Sequence, residues 1–132
     1  PNTQRAQMMN GAGVDCWLRI HANGSDDAST KGMFILVPAE GCLNTSDSSV
    51  YDESLSLADS LLNAALASTG ANSYGIVPRS DQTGFNWSSR PVCNIEMGHM
   101  TNEEEDYLLT SDEYQEKIAE GLAQGFVDYF SG

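Results

Sequence analysis

Positive charge is scarce in this chain. Six Lys and Arg stand against 19 Asp and Glu over 132 residues, for a formal charge of −13. A field of that sign repels phosphate backbones, and no Lys/Arg cluster offsets it, so nucleic acid is not expected as a partner. An anionic membrane surface is disfavoured for the same reason. What such acidity supplies is solubility and a solvated surface. Long apolar runs are also missing. No stretch approaches the roughly 20 apolar residues that cross a bilayer, so no membrane span is expected. The opening Pro1-Asn2-Thr3-Gln4-Arg5 lacks the regions of a signal peptide, so either a mature form begins here or an upstream part is removed.

Only three cysteines occur, Cys16, Cys42 and Cys93, with no CxxC spacing among them. That excludes a zinc ribbon and a redox motif. Cys16 and Cys93 sit in apolar runs, where a thiol behaves as a small buried hydrophobe, and no disulfide is expected. There is no GxSxG elbow and no phosphate-binding glycine loop, so a serine hydrolase and a nucleotide site lack support. With two histidines in the chain, His21 and His99, any imidazole chemistry rests on very few residues.

The remaining composition, 40% apolar and 8% aromatic, suits one domain with a modest core. Asn2 or Thr3 is placed to cap a short helix over Gln4–Asn10, which Gly11 and Gly13 stop. Val14–His21 reads as a buried strand, followed by a polar loop. Gly32–Val37 reads as a second strand closed by Pro38, and 39–50 as a loop. Leu55, Ala58, Leu61, Leu62, Ala65 and Leu66 recur at helical spacing between Ser54 and Thr69, and Gly70 ends that helix. Tyr74–Pro78 suits a short edge strand, where proline is tolerated. Ser80–Ser89 reads as a loop and Pro91–Met97 as a further strand. The acids after Thr101 suit a helix's first turn. A last helix is expected over Ser111–Phe130, with Thr110 and Glu113 as a capping box and an apolar stripe of Tyr114, Ile118, Leu122, Phe126 and Tyr129. Gly121 and Gly125 flank that stripe and permit close packing. Strands alternating with helices predict a three-layer α/β domain, its central sheet mostly parallel and flanked by helices.

Two strand ends carry chemistry. His21 closes the run Cys16-Trp17-Leu18-Arg19-Ile20-His21, and Glu96 closes Cys93-Asn94-Ile95-Glu96. Sites in α/β proteins gather at the carboxyl ends of strands. A carboxylate at the end of a buried strand is costly unless paired, and such positions tend to be functional. The competing readings are a hydrogen-bonded histidine near a core and a salt bridge from Glu96 to an arginine. His99 reads as a solvated surface residue, and Glu103–Asp106 as a solvated helix start without the spaced ligands of a calcium loop.

In order along the chain, these segments resemble the zinc-dependent N-acetylmuramoyl-L-alanine amidases, bacterial cell-wall hydrolases of the Amidase_3 type. The match lies in Arg5-Ala6-Gln7-Met8-Met9-Asn10, in Leu18-Arg19-Ile20-His21-Ala22-Asn23-Gly24, and in Ser54 with Leu57-Ala58. It continues through Pro91-Val92, Ile95-Glu96-Met97-Gly98, Met100-Thr101-Asn102 and Glu104-Glu105-Asp106, and ends in Tyr114-Gln115 with Ile118-Ala119-Glu120-Gly121. The resemblance implies a secreted enzyme of the bacterial cell wall that hydrolyses the amide between N-acetylmuramic acid and L-alanine of peptidoglycan. It implies Zn2+ as cofactor, His21 as a zinc ligand and Glu96 as the catalytic residue. The family's opening strand, with a histidine in a Gly-His-Gly turn, and the glutamate ligand that follows it have no counterpart here. The resemblance therefore casts residues 1–132 as the C-terminal major part of one amidase domain, incomplete at the N-terminus, its partner its own preceding segment. Alone it is expected to be inactive for want of two zinc ligands. Two alternatives stand beside this: a non-catalytic cell-wall-binding or regulatory fragment, and another zinc peptidase acting on peptides. His99 stands where such amidases commonly have phenylalanine, and it inherits no role.

Overall fold

In the computed structural model, which describes residues 1–42 and 47–132, the alternating segments form nine elements. They are α1 (Asn2–Gly11), β1 (Trp17–Asn23), β2 (Met33–Pro38), α2 (Ser49–Thr69), β3 (Ser73–Arg79), α3 (Thr83–Asn86), β4 (Val92–His99), α4 (Glu103–Leu109) and α5 (Asp112–Ser131). The strands make one sheet in the order β1-β4-β2-β3.

β1 pairs with β4 and β2 with β3 in parallel, while β2 meets β4 antiparallel, so the sheet is mostly parallel as expected, and one antiparallel pairing makes it mixed. Connection length explains the reversal. Parallel neighbours need a crossover of about a dozen residues or more, usually a helix. Residues 24–32 contain no helix, and β2 runs back against the direction of β1. α2 then supplies the crossover that returns β3 parallel to β2.

Helices cover both faces. On one, Met33, Ile35, Val37, Cys93 and Ile95 pack beneath Leu57, Ala58, Leu61 and Ala65 of α2 and Ile118 and Leu122 of α5. On the other, Trp17, Leu36 and Val92 pack with Ala6 of α1 and Phe85 of α3. The two residues flagged as small lie at the α2–α5 contact: a Cβ at Gly121 would stand 2.8 Å from the Ala65 Cα, and one at Gly125 2.7 Å from the Leu61 Cα. Only glycine lets the two backbones approach so closely.

Several boundaries differ from expectation for local reasons. α1 begins at Asn2 behind Pro1, and neither Asn2 nor Thr3 caps it. β1 begins at Trp17, whose amide bonds the Pro91 carbonyl, and it runs two residues past His21. α2 begins at Ser49, because Asp47 accepts the Ser49 amide at 2.9 Å and Val50 is buried, an anchor that the weak helix propensity of valine conceals. Of the loop read over 39–50, residues 43–46 lie outside those described. The 80–89 loop contains α3, held by the fully buried Phe85. α5 is capped by Ser111, whose Oγ accepts the Tyr114 amide, one residue after the expected Thr110.

Candidate active site

The parallel pairing of β1 with β4 sets His21 directly opposite Glu96 and Arg19 opposite Asn94. Directly opposed residues share a face, so these four side chains stand together at the carboxyl end of two strands. His21 Nδ1 lies 3.8 Å from Glu96 Oε1, and the two side chains are 41% and 10% exposed. That gap is too long for a hydrogen bond. It leaves an accessible imidazole beside a carboxyl group that is nearly enclosed.

Glu96 is held from below. Asn94, two residues earlier on the same strand face, donates its amide to Oε1 at 3.2 Å, while Oε2 is buried without a hydrogen-bond partner. Burial pushes the carboxyl's proton affinity above the ordinary glutamate range, with His21, the Asn94 bond, His99 and Arg19 acting against that shift. A carboxyl that gains protons more readily, beside an accessible imidazole, is suited to general acid–base work.

His99 is not a solvated residue. It is 3% exposed. Between His21↔Glu96 and Asn23↔His99 the register slips, β4 advancing three residues while β1 advances two. Such a bulge re-aims the following side chain, here onto the Glu96 face. There the His99 ring stacks on Phe34 at 6.1 Å and meets Tyr74 edge-on at 6.1 Å. Its Nδ1 lies 3.4 Å from Glu105 Oε1, outside hydrogen-bond geometry.

Glu105 departs from the expected solvated helix start as well. Glu103, Glu104 and Asp106 are exposed, but Glu105 is buried and its Oε1 accepts the amides of Gly32 at 2.8 Å and His99 at 3.2 Å. A Cβ at Gly98 would stand 2.8 Å from Glu105 Oε2, so glycine there leaves room for the carboxylate. Asn94 and Arg19 were missed in the sequence. Period-two alternation marks both: each lies two residues before a singled-out residue, and each is a polar interruption in an apolar run.

Whether these residues suit Zn2+ follows from the donor set. A catalytic zinc takes three protein ligands and a water. Among the described residues no three His, Cys, Asp or Glu side chains are grouped so as to hold a metal. His21 offers one accessible nitrogen, and that single donor does not make a zinc site.

The fold and this pairing define an α/β protein with an imidazole and a carboxyl group converging at strand ends. Residues 1–128 match Amidase_3, N-acetylmuramoyl-L-alanine amidase, and the chain belongs to that family. Among solved structures, it resembles an N-acetylmuramoyl-L-alanine amidase from Clostridium difficile 630, with a TM-score of 0.89 at 22% identity. It also resembles the amidase Ami1 from Mycobacterium abscessus, with a TM-score of 0.85 at 26% identity. A third is the catalytic domain of CwlV from Bacillus (Paenibacillus) polymyxa, with a TM-score of 0.84 at 20% identity. The matches take in 100%, 98% and 99% of this chain but 66%, 61% and 66% of those chains. No curated protein matches the sequence. No described helix is long and apolar enough to cross a membrane.

Proposed function

We propose that the chain is the greater part of the catalytic domain of a peptidoglycan hydrolase acting outside the cell on the bacterial wall. The bond cut is the amide joining the lactyl group of N-acetylmuramic acid to L-alanine. The observation that carries this reading is the His21–Glu96 pairing across β1 and β4, in a chain of the amidase family. In this reading Glu96 accepts a proton from the water that attacks the amide carbonyl carbon. The carbon–nitrogen bond then breaks, and Glu96 returns that proton to the departing amine. The products are a muramic acid carboxyl group and a peptide with a free L-alanine amine. Asn94 orients Glu96 through Oε1, the oxygen that faces His21.

In this reading His21 is a ligand of Zn2+, which the accessible imidazole beside Glu96 supports. Because the described residues do not complete a zinc site, the other donors would come from a further segment of the protein. In this reading a strand of that segment docks on the edge of β1, which has no partner strand among the described residues and where Ile20 is 54% exposed. The test is digestion of purified peptidoglycan by the full-length protein, followed by mass spectrometry of the soluble products. Stem peptides beginning with unmodified L-alanine are expected, and Glu96→Gln should lower their release by roughly 10²-fold or more. Release of shorter peptides instead, or undiminished release by the variant, refutes the assignment.

A further inference from the structure

Two of the six basic side chains, Arg5 of α1 and Arg19 of β1, face one cavity of about 320 Å3 that extends to His21. Met8, Met9 and Trp17 give it apolar walls. Among the described residues, ion pairs hold Lys31 to Glu104, Arg79 to Asp81 and Lys117 to Glu113, and none holds Arg5 or Arg19. Arg19 Nη2 donates to a neutral acceptor, Asn2 Oδ1, at 3.5 Å. Room for the guanidinium is made by Gly84 of α3, where a Cβ would stand 3.0 Å from Nη1. Burial opposes the charge on Arg19 most, Arg5 opposes it further, and Glu96 acts in its favour.

In a chain with 19 acidic residues, a half-buried guanidinium beside a second cation, whose carboxylate neighbour Glu96 stands outside ion-pair distance, has an unmet demand for an anion. Guanidinium groups match planar carboxylates through paired hydrogen bonds, and an apolar wall strengthens such bonds. Position narrows the ligand. Arg19 and His21 alternate on β1, so their α-carbons are about 7 Å apart. An extended peptide advances about 3.5 Å per residue. A carboxylate held at Arg19 therefore lies about two residues from a bond cut beside His21 and Glu96.

We propose that Arg5 and Arg19 form a carboxylate-binding pocket for the second residue of the stem peptide, so that the site prefers peptidoglycan whose second-residue carboxyl is free over peptidoglycan in which it is amidated. The proposal rests on the peptidoglycan reading above and adds a substrate preference to it.

Calorimetric titration of the full-length protein carrying Glu96→Gln, which leaves the probes uncut, tests it. The probes are N-acetylmuramoyl-L-alanyl-D-glutamate with its carboxyls free, the same compound as its bis-carboxamide, and N-acetyl-D-glutamate. The free acid should bind about tenfold or more tightly than the carboxamide. Arg19→Gln should erase that difference and Arg5→Gln should reduce it. Gly84→Ala, which keeps both charges but displaces the guanidinium, should also reduce it. Arg5 lies on the exposed side of α1, so Arg5→Gln keeps the test decisive if the Arg19 variant does not fold. Equal binding of acid and carboxamide, or a preference that survives Arg19→Gln, overturns the pocket and leaves the peptidoglycan reading standing. Binding of N-acetyl-D-glutamate alone, with neither muramoyl compound bound, overturns the stem-peptide assignment and with it the peptidoglycan reading.

Discussion

Replacing Gly125 by alanine sets two effects of opposite sign against each other. Alanine is favoured over glycine inside a helix by about 1 kcal/mol, so the substitution should stabilise α5 if nothing faces that position. The structure puts the new methyl group 2.7 Å from the Leu61 Cα, 3.0 Å from Leu61 Cδ2 and 3.0 Å from the Ser60 carbonyl. Ordinary carbon contacts lie at about 3.5–4.0 Å, so α2 and α5 must separate by a large fraction of an ångström. Two of the three obstructing atoms are backbone, and Leu61 is fully buried, so no side chain can swing aside to absorb the clash. Overpacking of this kind costs about 1–3 kcal/mol. Set against the propensity gain, Gly125→Ala should destabilise by about 0–2 kcal/mol, centred on about 1 kcal/mol. Urea unfolding followed by circular dichroism should then show a midpoint lower by roughly 0.3–1 M. Gly121→Ala, facing Ala65 and the Ala64 carbonyl, should behave alike. The double variant should lose less than the sum, because a separation that admits one methyl partly admits the other. A Gly125→Ala protein more stable than wild type would show that the helices do not need this close approach.

Other consequences follow from the site and the core. Glu105→Ala strands the buried amides of Gly32 and His99, and should cost about 2–5 kcal/mol in urea unfolding; Glu105→Gln, keeping one acceptor, should cost less than half as much. Glu96→Gln should raise the urea midpoint at pH 7, because it removes a charge whose Oε2 is buried without a partner; a lower midpoint would contradict the picture of a carboxyl strained for use. Burial pushes the Cys93 thiol far above its ordinary range, which depletes the thiolate. In the native protein Cys93 should therefore resist a thiol reagent at pH 8 and react only after denaturation, and prompt labelling of all three cysteines would refute that burial.

Much of the fold was legible because its signals are local. The helical spacing of Leu57, Leu61 and Ala65, and the apolar runs ending at His21 and Glu96, report which face of each element is buried, and period alone reads that. Gly121 and Gly125 were legible as small residues, but what they touch was not. Elements set by one long-range anchor escaped: α3 exists around Phe85, and the first turn of α2 around Val50. The buried states of His99 and Glu105 escaped for a different reason. A histidine after a strand and an acid in a helix start are ordinarily solvated; the register slip in β4 turns His99 inward, and the amides of Gly32 and His99, with the space at Gly98, hold Glu105.

By itself, then, the sequence determined the kinds of element, their amphipathic faces and the two chemical groups at strand ends, because those follow from side-chain type and spacing along a single segment. The tertiary structure decided that β2 reverses, that β1 and β4 become neighbours and that their register sets His21 opposite Glu96. Those facts depend on which segments pair across more than 70 residues of chain. Pairing of that range is settled by the packing of all the elements at once.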